Sequence, residues 1–138
     1  MTDVKTDLRR HSLARRDLVT SQEAHDAAAS IAKAGCALVE KLVAEHGLSA
    51  PIISVYWPIR SELNTRPLID ALAAKDFHVT LPVMHKVRHP LVFRDFTPGD
   101  DLVKGPYGLS EPADDKPARD PDIIFSPLAA FDRRGFRL

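Results

Sequence analysis

Pro51-Ile52-Ile53-Ser54-Val55-Tyr56-Trp57 and His78-Val79-Thr80-Leu81-Pro82-Val83 decide the fold, because the residues between them read as a helix. The first stretch is β-branched and aromatic and bounded by prolines, the character of a short strand buried on both faces. Asn64 or Thr65 can then cap a helix, Pro67 is tolerated in its first turn, and Leu68, Ile69, Leu72 and Ala73 recur as an apolar stripe. Strand, helix and strand within about thirty residues make a βαβ unit, which requires parallel strands and a right-handed crossover. The expected class is therefore α/β: an open, mostly parallel, Rossmann-like sheet with helices on both faces.

Upstream, Thr20-Ser21-Gln22-Glu23 is a capping box, with Thr20 at the N-cap and Glu23 three residues on. The helix it opens carries Ala24, Ala28, Ile31, Gly35, Leu38 and Leu42 at steps of three and four, and Gly47 stands where a C-cap is wanted. Residues 3–18 read as a polar, basic first helix with a narrow stripe of Val4, Leu8 and Leu18. Downstream, Leu91–Phe96 alternates like a strand and Pro98-Gly99-Asp100 is a turn. From there to Pro121 the chain is rich in Pro, Gly and Asp, and a loop of that length reads as a lid, a binding loop or a disordered segment. Ile123–Leu128 reads as a buried strand leading into Phe131-Asp132-Arg133-Arg134-Gly135-Phe136-Arg137-Leu138. In open α/β sheets such a strand and glycine-bearing turn deliver a phosphate-binding loop.

The chain of 138 residues is long enough to bury a core as one domain, 1–138. Its 19 basic and 19 acidic residues balance, so nothing global points to nucleic acid, and only local cation clusters matter. No apolar run approaches the roughly 20 residues of a membrane span, and the first residues lack the apolar core of a signal peptide. A single cysteine, Cys36, excludes an internal disulfide and a cysteine metal cluster, which favours a cytoplasmic setting. A monomer without nucleic-acid or membrane partners is expected.

Lys5, Arg9 and Arg16, at steps of four and seven, share a helix face that can hold a polyphosphate or can simply be solvated. Glu62 follows the carboxyl end of the first strand, where ligands bind in open sheets, and its carboxylate matches the planar fork of a heterocycle's ring N–H and amino group. Equally, it can be an acid stabilised at a helix N-terminus. Trp57 and Tyr107 can sandwich an aromatic ligand or belong to the core. Pro90, Lys86 and Arg88 around His85 and His89 argue against a helical zinc pair. Asp132 suits either a metal-bound phosphate or a turn beside Arg133-Arg134-Gly135. No nucleophile–base pair and no Walker or dinucleotide glycine motif is present.

Taken in order, these residues resemble the 5-formyltetrahydrofolate cyclo-ligase (5,10-methenyltetrahydrofolate synthetase) family. The resemblance runs through Lys5-x-x-x-Leu8-Arg9 with Arg16, Tyr56-Trp57-Pro58 to Glu62-Leu63-Asn64-Thr65, and Leu81-Pro82-Val83. It continues through Gly105-x-Tyr107-Gly108-Leu109-x-Glu111-Pro112 and ends with Pro127-Leu128-x-Ala130-Phe131-Asp132-x-x-Gly135-x-Arg137-Leu138. It implies a NagB/RpiA/CoA-transferase-like sheet and the ATP- and Mg²⁺-dependent cyclisation of 5-formyltetrahydrofolate to 5,10-methenyltetrahydrofolate. In that scheme the formyl oxygen takes the γ-phosphoryl group, N10 closes the ring and phosphate leaves, which asks the protein for positioning and charge neutralisation rather than a nucleophile.

Carried over by resemblance, Lys5, Arg9 and Arg16 are ATP phosphate ligands, and Arg137 and Leu138 begin a second ATP segment. Glu62 holds the pterin, while Trp57 and Tyr107 contact the folate. The family continues after Arg-Leu with a glycine-rich loop whose final Asp binds magnesium; Asp132 does not inherit that role, and no metal ligand is assigned. The chain is thus expected to lack the family's C-terminal portion, with residues 1–138 alone impaired. The alternatives are an inactive folate- or nucleotide-binding module and a structural or interaction domain.

Overall fold

The computed structural model describes residues 3–138. Helix α1 spans Val4–Asp17 and buries none of its residues. Helix α2, Ser21–His46, starts where the capping box places it: the Glu23 N–H donates to Thr20 Oγ1 at 3.1 Å, and Gly47 ends the helix in the left-handed conformation at φ 60°. Strand β1 (Ile52–Val55), helix α3 (Arg66–Ala74) and strand β2 (His78–Val83) form the expected βαβ unit, with Ile53 opposite Val79 and Ser54 opposite Thr80 in parallel register. Of the two candidate caps for α3, Asn64 does the work, its Oδ1 accepting the Arg66 N–H at 3.1 Å. Thr65 instead donates its hydroxyl to the Tyr56 carbonyl at 2.6 Å and so ties the start of α3 to the end of β1.

The remaining strands are β3 (Val92–Asp95), β4 (Leu102–Lys104), β5 (Ser110–Pro112), β6 (Ala118–Arg119) and β7 (Ile123–Phe125), in a main sheet of order β6-β3-β2-β1-β7. Three of its strands, β2-β1-β7, are parallel. On one flank β3 runs antiparallel to β2 and β6 antiparallel to β3, so the sheet is mixed at that edge. The long Pro- and Gly-rich segment is not an unstructured loop: β4 and β5 pair as a hairpin around a single 3₁₀ turn, Pro106–Gly108, and β6 joins the sheet. Strand β7 departs from the buried reading as well. It ends at Phe125, and Ile124 is 53% exposed, because as an edge strand it has a neighbour on one side only.

Ile53 and Val55 of β1, Leu68, Ile69 and Leu72 of α3, Leu81 of β2 and Val39 of α2 form the centre of the core. Each such aliphatic side chain contributes about 1.5–3 kcal/mol relative to exposure. The buried face of α2 is rotated from the one expected. Ala28, Gly35, Cys36 and Val39 point inward, whereas Ala24, Ile31 and Leu38 are exposed. Gly35 sets the distance between α2 and α3, since a Cβ at this position would stand 2.7 Å from Leu68 Cδ1.

Candidate functional site

The cationic face of α1 turns toward the last segment of the chain. Lys5 and Leu8 line a hollow of about 450 Å³ with Phe131, Asp132, Arg134, Phe136, Arg137 and Leu138. Further along the helix, Arg9, Leu13 and Arg16 line a second, of about 350 Å³, with Ile59–Glu62, Pro127–Ala129 and again Arg137 and Leu138. The two hollows share a wall, so Lys5, Arg9, Arg16 and Arg137 border one strip of surface. Among the described residues Lys5 and Arg9 form no salt bridge, and unneutralised cations beside a concave surface are what a multiply charged anion requires.

A third and larger groove, about 750 Å³, opens from the second and shares Arg16, Asp17, Arg60, Ser61 and Glu62 with it. Its other walls are mainly apolar and include Val19, Ala24, Ala27, Ile31, Tyr56, Leu63, Leu68, Phe125 and Phe131. Ala24 and Ile31, two of the α2 residues absent from the core, therefore line this groove. An apolar trough with a few polar groups at one end is the usual form of a small-molecule site.

Glu62 stands where the strip and the groove meet. It sits in a tight loop in which the Ile59 N–H donates to Glu62 Oε1 at 3.0 Å and the Glu62 N–H donates to the Ile59 carbonyl at 3.1 Å. Oε2 accepts no hydrogen bond from the described residues. Glu62 makes no hydrogen bond to an α3 N–H; the Arg66 N–H at the start of α3 is taken by Asn64. Arg60 in this loop adopts φ 51°, a conformation costly for a side-chain-bearing residue and common where a site fixes the backbone.

Tyr56 adjoins this loop, and neither the sequence nor the resemblance gives it a role at the site. Burial first, and the Glu62 charge second, push its phenol up to about 12 despite the opposing pull of Arg16, and its hydroxyl donates to the Leu63 carbonyl at 3.1 Å. The available signal was positional: Tyr56 directly follows β1, at the carboxyl end of a parallel strand.

Trp57 and Tyr107 lie elsewhere. Trp57 packs edge-on against Phe96 at 5.6 Å under the Arg66 guanidinium and joins the core, and it lines none of the three hollows. Tyr107 is 72% exposed at the tip of the β4–β5 hairpin. Asp132 forms a turn. Its Oδ1 accepts the N–H groups of Arg134 at 2.8 Å and Phe136 at 3.1 Å, so these amides point to the Asp132 carboxylate rather than to a phosphate. Around that turn the chain folds back, with the Ala129 N–H on the Leu138 carbonyl at 2.6 Å and the Leu138 N–H on Ala130 at 2.8 Å. His85 and His89 are exposed, as expected of solvated loop residues.

The sequence profile described as the 5-formyltetrahydrofolate cyclo-ligase family matches residues 1–138. The chain belongs to that family. It is similar to the 5-formyltetrahydrofolate cyclo-ligase of Haemophilus influenzae, 29% identical over 140 residues that cover 98% of this chain and 70% of that protein. The Escherichia coli K12 cyclo-ligase is 34% identical over 94 residues, 64% of this chain and 52% of its own length. Two solved structures share the fold. The 5,10-methenyltetrahydrofolate synthetase of Aquifex aeolicus gives a TM-score of 0.76 at 24% identity, over 98% of this chain and 66% of that one. The enzyme of Mycoplasma pneumoniae gives 0.63 at 19% identity, over 99% and 71%. The chain thus spans between about half and seven tenths of the length of these cyclo-ligase relatives.

Proposed function

We propose that these residues form the nucleotide-phosphate strip and the folate groove of an enzyme that cyclises 5-formyltetrahydrofolate to 5,10-methenyltetrahydrofolate at the expense of ATP, a ligase forming a C–N bond. The observation that carries the reading is the position of Glu62, which borders both the hollow lined by Arg9, Arg16 and Arg137 and the groove of about 750 Å³. The donor set suits phosphate. Lys5, Arg9 and Arg16 on α1 and Arg137 of the last segment offer charge-assisted hydrogen bonds along one strip, with Leu138 beside them.

Magnesium fits differently. Among the described residues no three His, Cys, Asp or Glu side chains converge to hold a metal ion, so magnesium would enter with the nucleotide and no residue of this chain is assigned to it. When bound, ATP supplies the phosphoryl group that makes the formyl oxygen a leaving group. The protein's share is positional: the Glu62 carboxylate accepts hydrogen bonds from the pterin ring N–H and amino group, and the cations neutralise the phosphates. The apolar walls, including Ile31 and Phe125, keep water from the reacting atoms. Trp57 and Tyr107 remain in the proposal as folate contacts of the ligand-bound protein, Tyr107 from its hairpin tip.

The reading places the protein in the cytoplasm as a monomer. The lone cysteine, buried in α2, suits a reducing compartment. Calorimetry with 5-formyltetrahydrofolate, alongside the absorbance of the methenyl product with Mg²⁺-ATP, tests the assignment. Glu62→Gln should weaken folate binding by about tenfold, the scale of one lost charge-assisted bond, and unchanged binding would refute the pterin assignment. A second reading follows from the 52–70% coverage of the curated relatives: residues 1–138 alone bind both ligands and turn over slowly or not at all. Product at ordinary rates from these residues would refute it.

A further inference from the structure

Helix α1 carries Lys5, Arg9 and Arg16, yet it buries none of its residues. Its cap offers little extra hold, since Asp3 makes no side-chain capping bond. Among the described residues, the side-chain hydrogen bonds that leave α1 both end on one group. Arg16 Nε donates to Ser61 Oγ at 2.9 Å, and Ser61 Oγ donates to the Asp17 carboxylate. Ser61 directly precedes Glu62, in the loop closed by the Ile59–Glu62 bonds and bent at Arg60. One hydroxyl therefore links the helix that presents cations to the loop that presents the carboxylate.

We infer that Ser61 is a positioning residue that couples the two binding events. A ligand held by Glu62 fixes the 59–62 loop, the fixed loop keeps Ser61 where Arg16 and Asp17 meet it, and α1 is thereby held with Lys5 and Arg9 along the phosphate strip. By thermodynamic reciprocity a nucleotide on α1 favours the same loop and tightens the groove by the same factor. Without the hydroxyl, each site keeps its own ligands but no longer reports on the other. This inference rests on the assignment of phosphate to the α1 strip and folate to the Glu62 groove.

The test is a calorimetric cycle on the 138-residue chain with Mg²⁺ and a non-hydrolysable ATP analogue. Affinity for 5-formyltetrahydrofolate is measured with and without the analogue, in the wild type, Ser61→Ala and Ser61→Thr. In the wild type the analogue should tighten folate binding by about tenfold, within the usual range of coupling between sites. Ser61→Ala should reduce that factor to near one, and Ser61→Thr, which keeps the hydroxyl, should restore coupling. A tenfold factor retained in Ser61→Ala, or a wild type that binds both ligands independently, overturns the inference and leaves the functional assignment standing. If Ser61→Thr fails to restore coupling while both variants melt well below the wild type, Ser61 is only structural and the inference is again overturned. A wild type that binds neither ligand refutes the functional assignment itself, and the coupling with it.

Discussion

Replacing Gly105 with alanine should unfasten the β4–β5 hairpin from the main sheet. Glu111 on β5 is 5% exposed, and its Oε2 accepts the Met84 N–H just past β2 at 2.7 Å. Gly105 leaves the space for that carboxylate. A Cβ there would overlap Oε1 and Cδ of Glu111 and stand 2.9 Å from Oε2. Gly105 has φ −101°, which any residue adopts, so the cost is the collision rather than backbone strain. The carboxylate must swing away, losing a hydrogen bond to a charged acceptor and leaving the Met84 N–H without a partner, together about 2 kcal/mol. With an unfolding entropy of about 2.1 cal/mol/K per residue, the chain should lose ~7 °C in Tm. Thermal and urea unfolding followed by circular dichroism would measure it. The double-mutant cycle decides the cause, because Gly105→Ala should cost almost nothing once Glu111→Ala has emptied the space. An equal penalty in both backgrounds, or a Tm shift under about 2 °C for the single change, would refute the reasoning.

Arg9→Ala should weaken binding of Mg²⁺-ATP by about tenfold or more, as loss of a charge-assisted contact implies, with calorimetry as the readout and unchanged affinity as the contrary result. Tyr56, whose phenol is pushed up to about 12, favours the neutral form in the fold. Its contribution to stability is therefore complete below the ordinary tyrosine value of about 10 and lost as pH rises from there toward 12. The most alkaline phase of a tyrosinate absorbance titration should accordingly vanish in Tyr56→Phe. At Asp95, burial raises the carboxyl pKa, but hydrogen bonds from Arg119 and His78 outweigh it and hold the group below the usual range. That stabilisation is present above the ordinary carboxylate value of about 4 and fades as pH falls through the lowered one. Asp95→Asn should thus be less stable at pH 7 yet show a flatter acid limb in Tm against pH, and parallel curves would argue against the assignment.

The sequence announces β1, α3, β2 and the ends of α2 clearly because each depends on local chemistry: apolar runs, Pro67, Thr20 with Glu23, and Gly47. Strand direction at the far edge does not depend on local chemistry. Leu91–Phe96 alternates whichever way it pairs, and its antiparallel register follows from the short connection after β2 rather than from its own residues. The expected stripe of α2 divides for a similar reason, with Ala28 and Gly35 buried as the spacing predicts and Ala24, Ile31 and Leu38 exposed. Ala24, Ile31 and Leu38 have the same three–four spacing as a core stripe, and only the tertiary structure shows Ala24 and Ile31 facing a groove. Two-residue and three-residue strands such as β4, β5 and β6 are too short to impose a hydrophobic pattern, so a Pro- and Gly-rich stretch hid them. At the site, Lys5, Arg9, Arg16, Glu62 and Arg137 could be gathered from the resemblance and are found along connected hollows. Tyr56 falls within the Tyr56-Trp57-Pro58 stretch of the resemblance, but what it and Ser61 do rests on contacts that spacing does not encode.

Leu68 belongs to two surfaces at once: it meets Gly35 between α2 and α3, and it forms part of the groove wall. Mutational drift at the two positions is consequently tied. A larger residue at 35 can be accommodated by a smaller one at 68, but that exchange also reshapes the cavity, so a packing repair deep in the protein would surface as altered ligand preference. The shape of the groove is thus set in part by a glycine that does not line it.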